Sequence, residues 1–207
     1  MYARTTAFVG DPAKLDEAVA YMSSEVWPSL QAMDGCTGAS MIIRRDSGKC
    51  ISTSSWANLD ALAESGKRVP PLRERASQIL DTGAPEVQEW EIAVMHRVHH
   101  TDPGAGVRVS WSRIDPAHAD EVIDYFKSTV LSRVEQLEGF ASVSMLVDRA
   151  LGRGVSSFAF DSMQALEHNR EAAAAMRRAG GAEMGIEFTD VEEFELAFAH
   201  LHVPELV

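Results

Sequence analysis

The sequence predicts an α+β fold, in which two copies of one βαββαβ unit follow each other and close into a single pseudo-twofold barrel. The first observation is a repeat: the segment DPAKLDE at 11–17 returns as DPAHADE at 115–121, 104 residues later. The second is that the repeat continues without a gap, since 86–96 matches 190–200 at the same offset. The third is that hydrophobic periodicity gives the same order of strands and helices in both halves.

Each half is predicted to begin with a strand and a capped helix. The first strand covers about residues 3–8, and its copy at 107–111 (VRVSW) alternates apolar and polar side chains, as half-buried strands do. Asp11 then caps a helix whose first position is Pro12, a combination that suits a helix start. Apolar residues at every third or fourth position predict that this helix continues to about Gly35.

Two strands, a second helix and a last strand complete the predicted unit. In the first half they lie at about 39–44, 50–55, 58–72 and 87–96. In the second half the helix recurs at about 162–176 and the last strand at 191–200. Pro70-Pro71 is expected to break the helix of the first half, because proline lacks the N–H that a helix needs.

The order βαββαβ is that of the ferredoxin-like fold, in which four antiparallel strands carry both helices on one face. The opposite face is left bare, and a second copy on the same chain is the obvious partner to bury it. Between the halves, the segment HHTDPGAG has the glycine and proline of a linker. The sequence therefore predicts an N-terminal unit at 1–98, a linker at 99–106 and a C-terminal unit at 107–207.

The composition is that of an ordinary soluble globular protein, with 45% hydrophobic and 24% charged residues. A formal net charge of −12 argues against nucleic acid and anionic membranes as partners, because both are bound through clustered Lys and Arg. We find no signal peptide and no run of about 18 apolar residues, and we expect a cytoplasmic protein. Cys36 and Cys50 match no zinc or redox motif and are expected to be reduced thiols.

Four features together resemble the dimeric α+β barrel superfamily, in its antibiotic-biosynthesis-monooxygenase-like branch. They are the unit order, the Gly35-x-x-Gly38 stretch before the second strand, Ser55-Trp56 after the third, and an acidic, apolar last strand. The tandem layout also resembles a group of uncharacterised mycobacterial proteins that end, as here, in HLHVPELV. The resemblance implies an eight-stranded barrel of two sheets, with small-molecule sites between each sheet and its helices or inside the barrel.

The resemblance raises haem as a cofactor, because the haem-degrading relatives use an Asn on the first strand and an axial His on the second helix. Here Arg4 and Arg108 occupy the first-strand position, and residues 58–80 contain no His. His168 on the second helix of the other half has no counterpart in the first half. We therefore expect no cofactor.

Histidines cluster where each last strand ends, at His96, His99 and His100 and again at His200 and His202. Imidazoles at such spacings can share a strand face and bind a divalent ion. Only His96 and His200 recur in both halves, and polar residues are common where a strand enters a linker or tail. We therefore expect no metal site.

Several polar residues occupy the same position in both halves, among them Arg4 and Arg108. The first and last strands of a ferredoxin-like sheet are neighbours, so we expect Arg4 to lie across from Glu91, and Arg108 across from Glu195. These side chains either satisfy one another as structural ion pairs, or an arginine anchors an anionic or phenolic ligand and a glutamate tunes its protonation.

Alternation along the first strand of the second half predicts which side chains meet the helices. Val107, Val109 and Trp111 have one parity and are expected to face the helices, which turns Arg108 toward the barrel interior. The hydroxyls of Thr53 and Ser157 and the ring of Trp56 are further candidates. The predicted ligand-binding residues are therefore Arg4, Glu91, Arg108, Glu195, Thr53, Ser157 and Trp56.

Two functional hypotheses stay open. The first is a small-molecule-binding barrel without catalysis, with a regulatory or stress-related role. The second is a cofactor-independent monooxygenase acting on a small aromatic or quinol compound. In both, the partner is a small apolar or aromatic ligand, association of such pseudo-dimers into a homo-oligomer stays open, and the two halves are expected to hold unequal cavities of which at most one is active.

Overall fold

A computed structural model describes all 207 residues. Its strands are β1 (Tyr2–Val9), β2 (Cys36–Arg44), β3 (Lys49–Trp56), β4 (Glu86–Arg97), β5 (Gly106–Arg113), β6 (Phe140–Asp148), β7 (Arg153–Phe160) and β8 (Glu187–Leu201). They form a closed antiparallel barrel in the order β1-β3-β2-β8-β5-β7-β6-β4. The predicted fold class is confirmed.

The α-helices come in pairs. They are α1 (Leu15–Tyr21), α2 (Trp27–Gln31), α3 (Leu59–Arg68), α4 (Pro70–Ile79), α5 (Ala119–Tyr125), α6 (Leu131–Val134), α7 (Met163–His168) and α8 (Arg170–Met184). The first three strands of the two halves begin 104 residues apart, as with Lys49 of β3 and Arg153 of β7, and the last strands β4 and β8 begin 101 residues apart. At 15 residues α8 is the longest helix, and no helix has the length and apolar character to span a bilayer.

The predicted helix starts are seen in both halves. The Asp11 side chain accepts a hydrogen bond from the Ala13 N–H, and Asp115 accepts one from Ala117 N–H, each at 2.9 Å. This caps a short 3₁₀ turn that leads into α1 or α5. The aspartate satisfies one of the N–H groups that a helix start leaves without a partner.

The first predicted helix of each half contains a wide turn. Residues 22–26 and 126–130 have π-helix geometry and separate α1 from α2 and α5 from α6. Single π turns inside helices are often found at functional sites, because they shift the following side chains out of the regular helical positions. Here each wide turn supplies side chains to a cavity described below.

The second helix of each half is interrupted, but at different places. In the first half the break lies at Val69, directly before Pro70-Pro71, as the prolines predict. In the second half the break lies at Asn169, which corresponds to Ser65 rather than to Val69. As a result Ser65 stays inside α3, whereas Asn169 stands between α7 and α8.

Two compact units can be distinguished. The first unit comprises Met1–Trp90 and Glu195–Val203, and the second comprises Glu91–Phe194 and Pro204–Val207. The predicted boundaries at 98 and 107 describe the repeat in the sequence, whereas the compact units divide within β4 and β8. Within the first unit β3 pairs with β1 and β2, and β2 pairs with the end of β8. Within the second, β7 pairs with β5 and β6, and β6 with the end of β4.

Each unit has its own hydrophobic core between strands and helices. In the first unit the core includes Leu15, Trp56 and Leu62, none more than 1% exposed. In the second it includes Phe160 and Leu166, at 1% and 0%. Burial of apolar side chains on this scale is the main force that holds helices against a sheet.

Candidate functional site

Each unit contains one cavity, and the two cavities occupy corresponding positions. The cavity of the first unit measures about 60 Å³ and that of the second about 70 Å³. Positions that line both cavities include Arg4/Arg108, Tyr21/Tyr125, Met41/Met145, Ser52/Ser156 and Arg73/Arg177. Because the walls come from the strands on one side and the helices on the other, each cavity lies between the sheet and the helices of its own unit.

The wall of the second cavity is mostly apolar. Aromatic rings contribute a large part of it, and the rings of Phe126 and Phe158 lie 6.0 Å apart at 33°. Phe126 belongs to the wide turn after α5. The polar exceptions are two arginines, three serines and a tyrosine. An apolar cavity with a few polar groups is the usual form of a small-molecule site.

Arg108 on β5 is the most deeply buried charged group, with 1% of its surface exposed. Its Nε and Nη2 donate to Oε1 of Glu193 at 3.2 and 2.8 Å, and Nη2 also donates to the Leu166 carbonyl at 2.8 Å. Its Nη1 is buried and has no hydrogen-bond partner. Since buried donors are nearly always paired, this atom marks a place where a ligand oxygen fits.

Arg4 on β1 is the corresponding residue of the first unit, at 4% exposure. Its Nε and Nη2 donate to Oε1 of Glu89 at 3.0 and 2.6 Å, and Nη2 donates to the Leu62 carbonyl at 2.8 Å. Its Nη1 donates to Oγ of Ser65 at 2.5 Å. Every nitrogen of this guanidinium therefore has a partner inside the protein.

The different helix breaks explain the difference between the two arginines. Ser65 lies inside α3, with its hydroxyl between Arg4 and the Leu62 carbonyl. Asn169 lies at the break before α8, and its amide nitrogen donates to the carbonyls of Glu138 and Ala165, at 2.9 and 2.8 Å. The asparagine therefore supplies nothing to the guanidinium of the second unit.

A second arginine lines each cavity, Arg73 on α4 and Arg177 on α8. Burial, together with the positive charge of the neighbouring Arg4, lowers the pKa of Arg73. Burial and the charge of Arg108 lower the pKa of Arg177 in the same way. Nε and Nη2 of Arg73 are buried without a partner. Each cavity thus holds two guanidinium groups whose mutual repulsion an anion would relieve.

Glu193 is the carboxylate that balances part of this charge in the second unit. Burial by itself raises the pKa of Glu193, but hydrogen bonds from Arg170 and Arg108 outweigh it, and the pKa lies below its ordinary value. Arg170 Nη2 donates to Oε2 at 2.7 Å, while Arg108 uses Oε1. Glu193 therefore stays ionised and is shared between two arginines.

The predicted pairing of Arg4 with Glu91 is wrong. Arg4 binds Glu89, while Glu91 accepts hydrogen bonds from Arg149, the shorter at 2.7 Å. Alternation fixes the face of a strand but not its register, and a shift of two residues exchanges Glu91 for Glu89 on one face. The second half departs from its predicted pairing in the same way: Arg108 binds Glu193, and Glu195 binds Arg45 at 2.9 Å.

The predicted orientation of β5 is also wrong. The sequence predicts that Val107, Val109 and Trp111 face the helices and that Arg108 faces the barrel interior. Instead Arg108 faces the helices, where it binds the Leu166 carbonyl of α7 and lines the cavity. The first five residues of β5 are all buried. When both faces of a strand are buried, hydrophobic alternation does not show which face meets the helices.

The remaining candidates have separate locations. Thr53 lines the first cavity. Ser157 lies on β7, opposite Val109 and Ser144, and is not among the residues that line the second cavity. Trp56 is fully buried in the first core, where its Nε1 donates to Oγ of Ser54 at 3.1 Å.

Four residues that line a cavity or pair with its buried arginine are absent from the predicted site: Glu89, Arg73, Glu193 and Arg177. Each pair, Glu89/Glu193 and Arg73/Arg177, is identical in both halves, and that identity was the available signal. The exchange of Ser65 for Asn169 gave no such signal, because its effect depends on where the helix breaks.

His96 and His200, the histidines that recur in both halves, contact carboxylates and an aromatic ring respectively. His96 lies with Nε2 2.7 Å from Oε1 of Glu135 and Nδ1 3.0 Å from Oε2 of Glu205. His200 stacks on Trp27, with ring centroids 5.2 Å apart. These imidazoles are engaged by carboxylates and an aromatic ring rather than grouped around a common point.

Sequence comparison identifies relatives over the whole chain. The chain is 45% identical over 207 residues to the uncharacterised protein Rv2557 of Mycobacterium tuberculosis strain H37Rv, which covers all of this chain and 92% of that protein. It is 43% identical over 208 residues to the uncharacterised protein Rv2558 of the same strain, covering all of this chain and 88% of that protein. No protein-family model matches the sequence.

Solved structures share the fold at low sequence identity. A candidate monooxygenase from Lactobacillus acidophilus NCFM has a TM-score of 0.69 at 10% identity, over 97% of this chain and 96% of that one. An anthrone oxidase-like protein has a TM-score of 0.64 at 16% identity, over 100% and 94%. A Listeria monocytogenes ferredoxin-fold protein related to antibiotic biosynthesis monooxygenases has 0.53 at 6%, over 94% of each chain. At such identities the likeness is one of fold.

Proposed function

We propose that this chain, which belongs to the family of the uncharacterised Mycobacterium tuberculosis proteins Rv2557 and Rv2558, binds a small apolar or aromatic compound. The site is the cavity of the second unit, between the sheet and the helices α5 and α8. The observation that carries the proposal is this cavity of about 70 Å³ with an aromatic and aliphatic wall. One water needs roughly 10–15 Å³ by this kind of measure, so several water-sized groups fit.

The lining favours binding over catalysis. No aspartate, glutamate or histidine lines either cavity. Abstraction of a proton from a quinol or an activated carbon requires a base within hydrogen-bond reach of the substrate. Tyr125 is the titratable neutral group in the second cavity, and burial raises its pKa, which makes it a poor base at neutral pH.

A cofactor-independent monooxygenase is the second candidate function, and the fold shared with the candidate monooxygenase and the anthrone oxidase-like protein favours it. Oxygen uptake with anthrone and with a panel of quinols tests it directly. We expect consumption no faster than that of the substrate alone in buffer. A rate that rises in proportion to protein concentration, and that is lost when the second cavity is filled, would establish the monooxygenase instead.

Binding in the second cavity is tested by filling it from the helix side. Gly180 of α8 lines this cavity, and a Cβ there would meet Ile186 at 3.6 Å and Tyr125 at 3.9 Å, which are ordinary contacts. A leucine at this position fits the helix and extends into the empty space. We expect Gly180→Leu to weaken binding of small aromatic probes about tenfold or more, because lost cavity volume excludes the ring.

Ala76 provides the matched control, because it occupies the corresponding position and lines the first cavity. Ala76→Leu is expected to leave binding unchanged. Saturation-transfer NMR and calorimetry with benzamide and naphthamide measure both variants. If Gly180→Leu folds and binds the probes as the unchanged protein does, the second cavity is not the site.

A further inference from the structure

The unmatched donor in the second cavity specifies what kind of compound it accepts. Resting on the function proposed above, we propose that the ligand carries a carboxylate, and that one carboxylate oxygen accepts a hydrogen bond from Nη1 of Arg108 while Arg177 balances the same charge. The ligand class is therefore an aromatic or other apolar monocarboxylate.

The first step of the argument is the position of the donor. Arg108 lines the cavity, is 1% exposed and uses Nε and Nη2 on Glu193 and the Leu166 carbonyl. Nη1 alone has no partner. A guanidinium nitrogen donates and never accepts, so the group that completes it must be an acceptor. An ionised acceptor gives the stronger and shorter bond.

The second step is the balance of charge around the cavity. Arg108 and Arg177 both line it, and Glu193 is the carboxylate within hydrogen-bond distance of Arg108. Glu193 is in addition shared with the exposed Arg170. The buried part of the site is thus left with one uncompensated positive charge. Burial and the nearby Arg108 disfavour the charged form of Arg177, which agrees with this imbalance.

The third step distinguishes a monocarboxylate from a more highly charged anion. One negative charge neutralises the excess, whereas a dianion such as a phosphate monoester would leave a net negative charge against an apolar wall. Transfer of an unpaired charge from water into such surroundings is strongly unfavourable. The aromatic walls, with Phe126 and Phe158 as neighbours, suit the ring or chain that bears the carboxylate.

The first unit has a cavity at the corresponding position, but its buried arginine, Arg4, has no free donor. There the Ser65 hydroxyl occupies Nη1 of Arg4. The donors without partners belong to Arg73 on α4, which is only half buried. An anion in that cavity could accept from the two free nitrogens of Arg73 but from no nitrogen of Arg4, whereas in the second cavity the strand arginine itself offers a donor. We therefore expect the tighter carboxylate site in the second unit.

Matched pairs of probes test the proposal: benzoate against benzamide, and naphthoate against naphthamide, titrated by calorimetry. Each pair has nearly the same shape, and only the acid is charged at neutral pH. We expect the carboxylates to bind about tenfold or more tightly than the amides, with one site per chain. Equal affinities within both pairs would overturn the carboxylate while leaving the proposed binding function intact. Binding of none of the four would remove both.

Variants locate the charge that is responsible. Arg177 is partly buried, and Arg177→Gln is expected to weaken carboxylate binding several-fold while leaving amide binding unchanged. The double variant Arg108→Met with Glu193→Gln removes the deep pair together, so that no buried charge is left alone, and is expected to abolish the preference for acids. Arg73→Gln in the first unit is the control and should change neither. If the preference survives in Arg177→Gln and in the double variant, the proposal is wrong; should the double variant fail to fold, Arg177→Gln alone decides.

Discussion

Arg4 and Arg108 occupy the same position in the two units. Every guanidinium nitrogen of Arg4 has a hydrogen-bond partner, whereas Nη1 of Arg108 has none. Both lie buried on a first strand, both bind a glutamate two residues before the predicted one, and both donate to a helix carbonyl. Only Arg4 has a hydroxyl on Nη1. The comparison teaches that a small change in a neighbouring helix, and not the arginine itself, separates a structural ion pair from a candidate binding site.

Removal of each arginine gives the largest expected effect. Arg4→Met removes the donor to Glu89 and to Ser65 and leaves the Leu62 carbonyl with the Ser65 hydroxyl alone, and we expect a loss of about 3 kcal/mol in the free energy of unfolding. Arg108→Met leaves Glu193 with Arg170 and also removes an unpaired buried donor, so a loss of about 1 kcal/mol is expected. Urea denaturation of the two variants measures both. An Arg108→Met variant less stable than Arg4→Met would break the comparison.

Removal of the Ser65 hydroxyl should make the first cavity resemble the second, because Nη1 of Arg4 would then have no hydrogen-bond partner. Ser65→Ala leaves Nη1 of Arg4 buried and unpaired, and we expect it to destabilise the protein by about 1–2 kcal/mol. Naphthoate should partly restore that stability, by supplying an oxygen to the freed donor. Thermal unfolding of Ser65→Ala and of the unchanged protein, each with naphthoate and with naphthamide, measures the effect, because the second cavity is the same in both proteins. A preference for the acid that is no larger in Ser65→Ala than in the unchanged protein would show that a free guanidinium nitrogen is not sufficient.

The smallest expected effect concerns pH. The pKa of Glu193 lies below its ordinary value of 4.5 in the folded protein, because Arg170 and Arg108 bind the ionised form against the effect of burial. Its contribution to stability is therefore complete above about pH 4.5 and is lost as the pH falls through the lowered pKa. The difference in unfolding free energy between the unchanged protein and Glu193→Gln should shrink in acid. A difference that grows as the pH falls would contradict the assignment.

The fold could be predicted because it depends on sequence patterns, and these can be recognised without knowing which residues are in contact. The repeat fixed two equal units, and the periodicity fixed their elements. Asp11 and Asp115 cap as their positions before proline require. Pro70-Pro71 breaks its helix because neither residue can donate a backbone hydrogen bond.

The site was predicted only in part. Arg4, Arg108 and Thr53 do line the cavities. The pairing of Glu91 was wrong because alternation does not fix the register of a strand. The facing of β5 was reversed because both of its faces are buried, so alternation does not show which face meets the helices. The role of Asn169 depends on a helix break four residues earlier in the repeat than the break at Val69, and residue types alone do not specify it.

A crystal structure with naphthoate bound tests the central claim most directly. We expect the ring against Phe126 and Phe158 in the second cavity, with one carboxylate oxygen within hydrogen-bond distance of Nη1 of Arg108 and the first cavity empty. Naphthoate bound in the first cavity alone, or bound in the second with its carboxylate turned away from Arg108, would contradict the account.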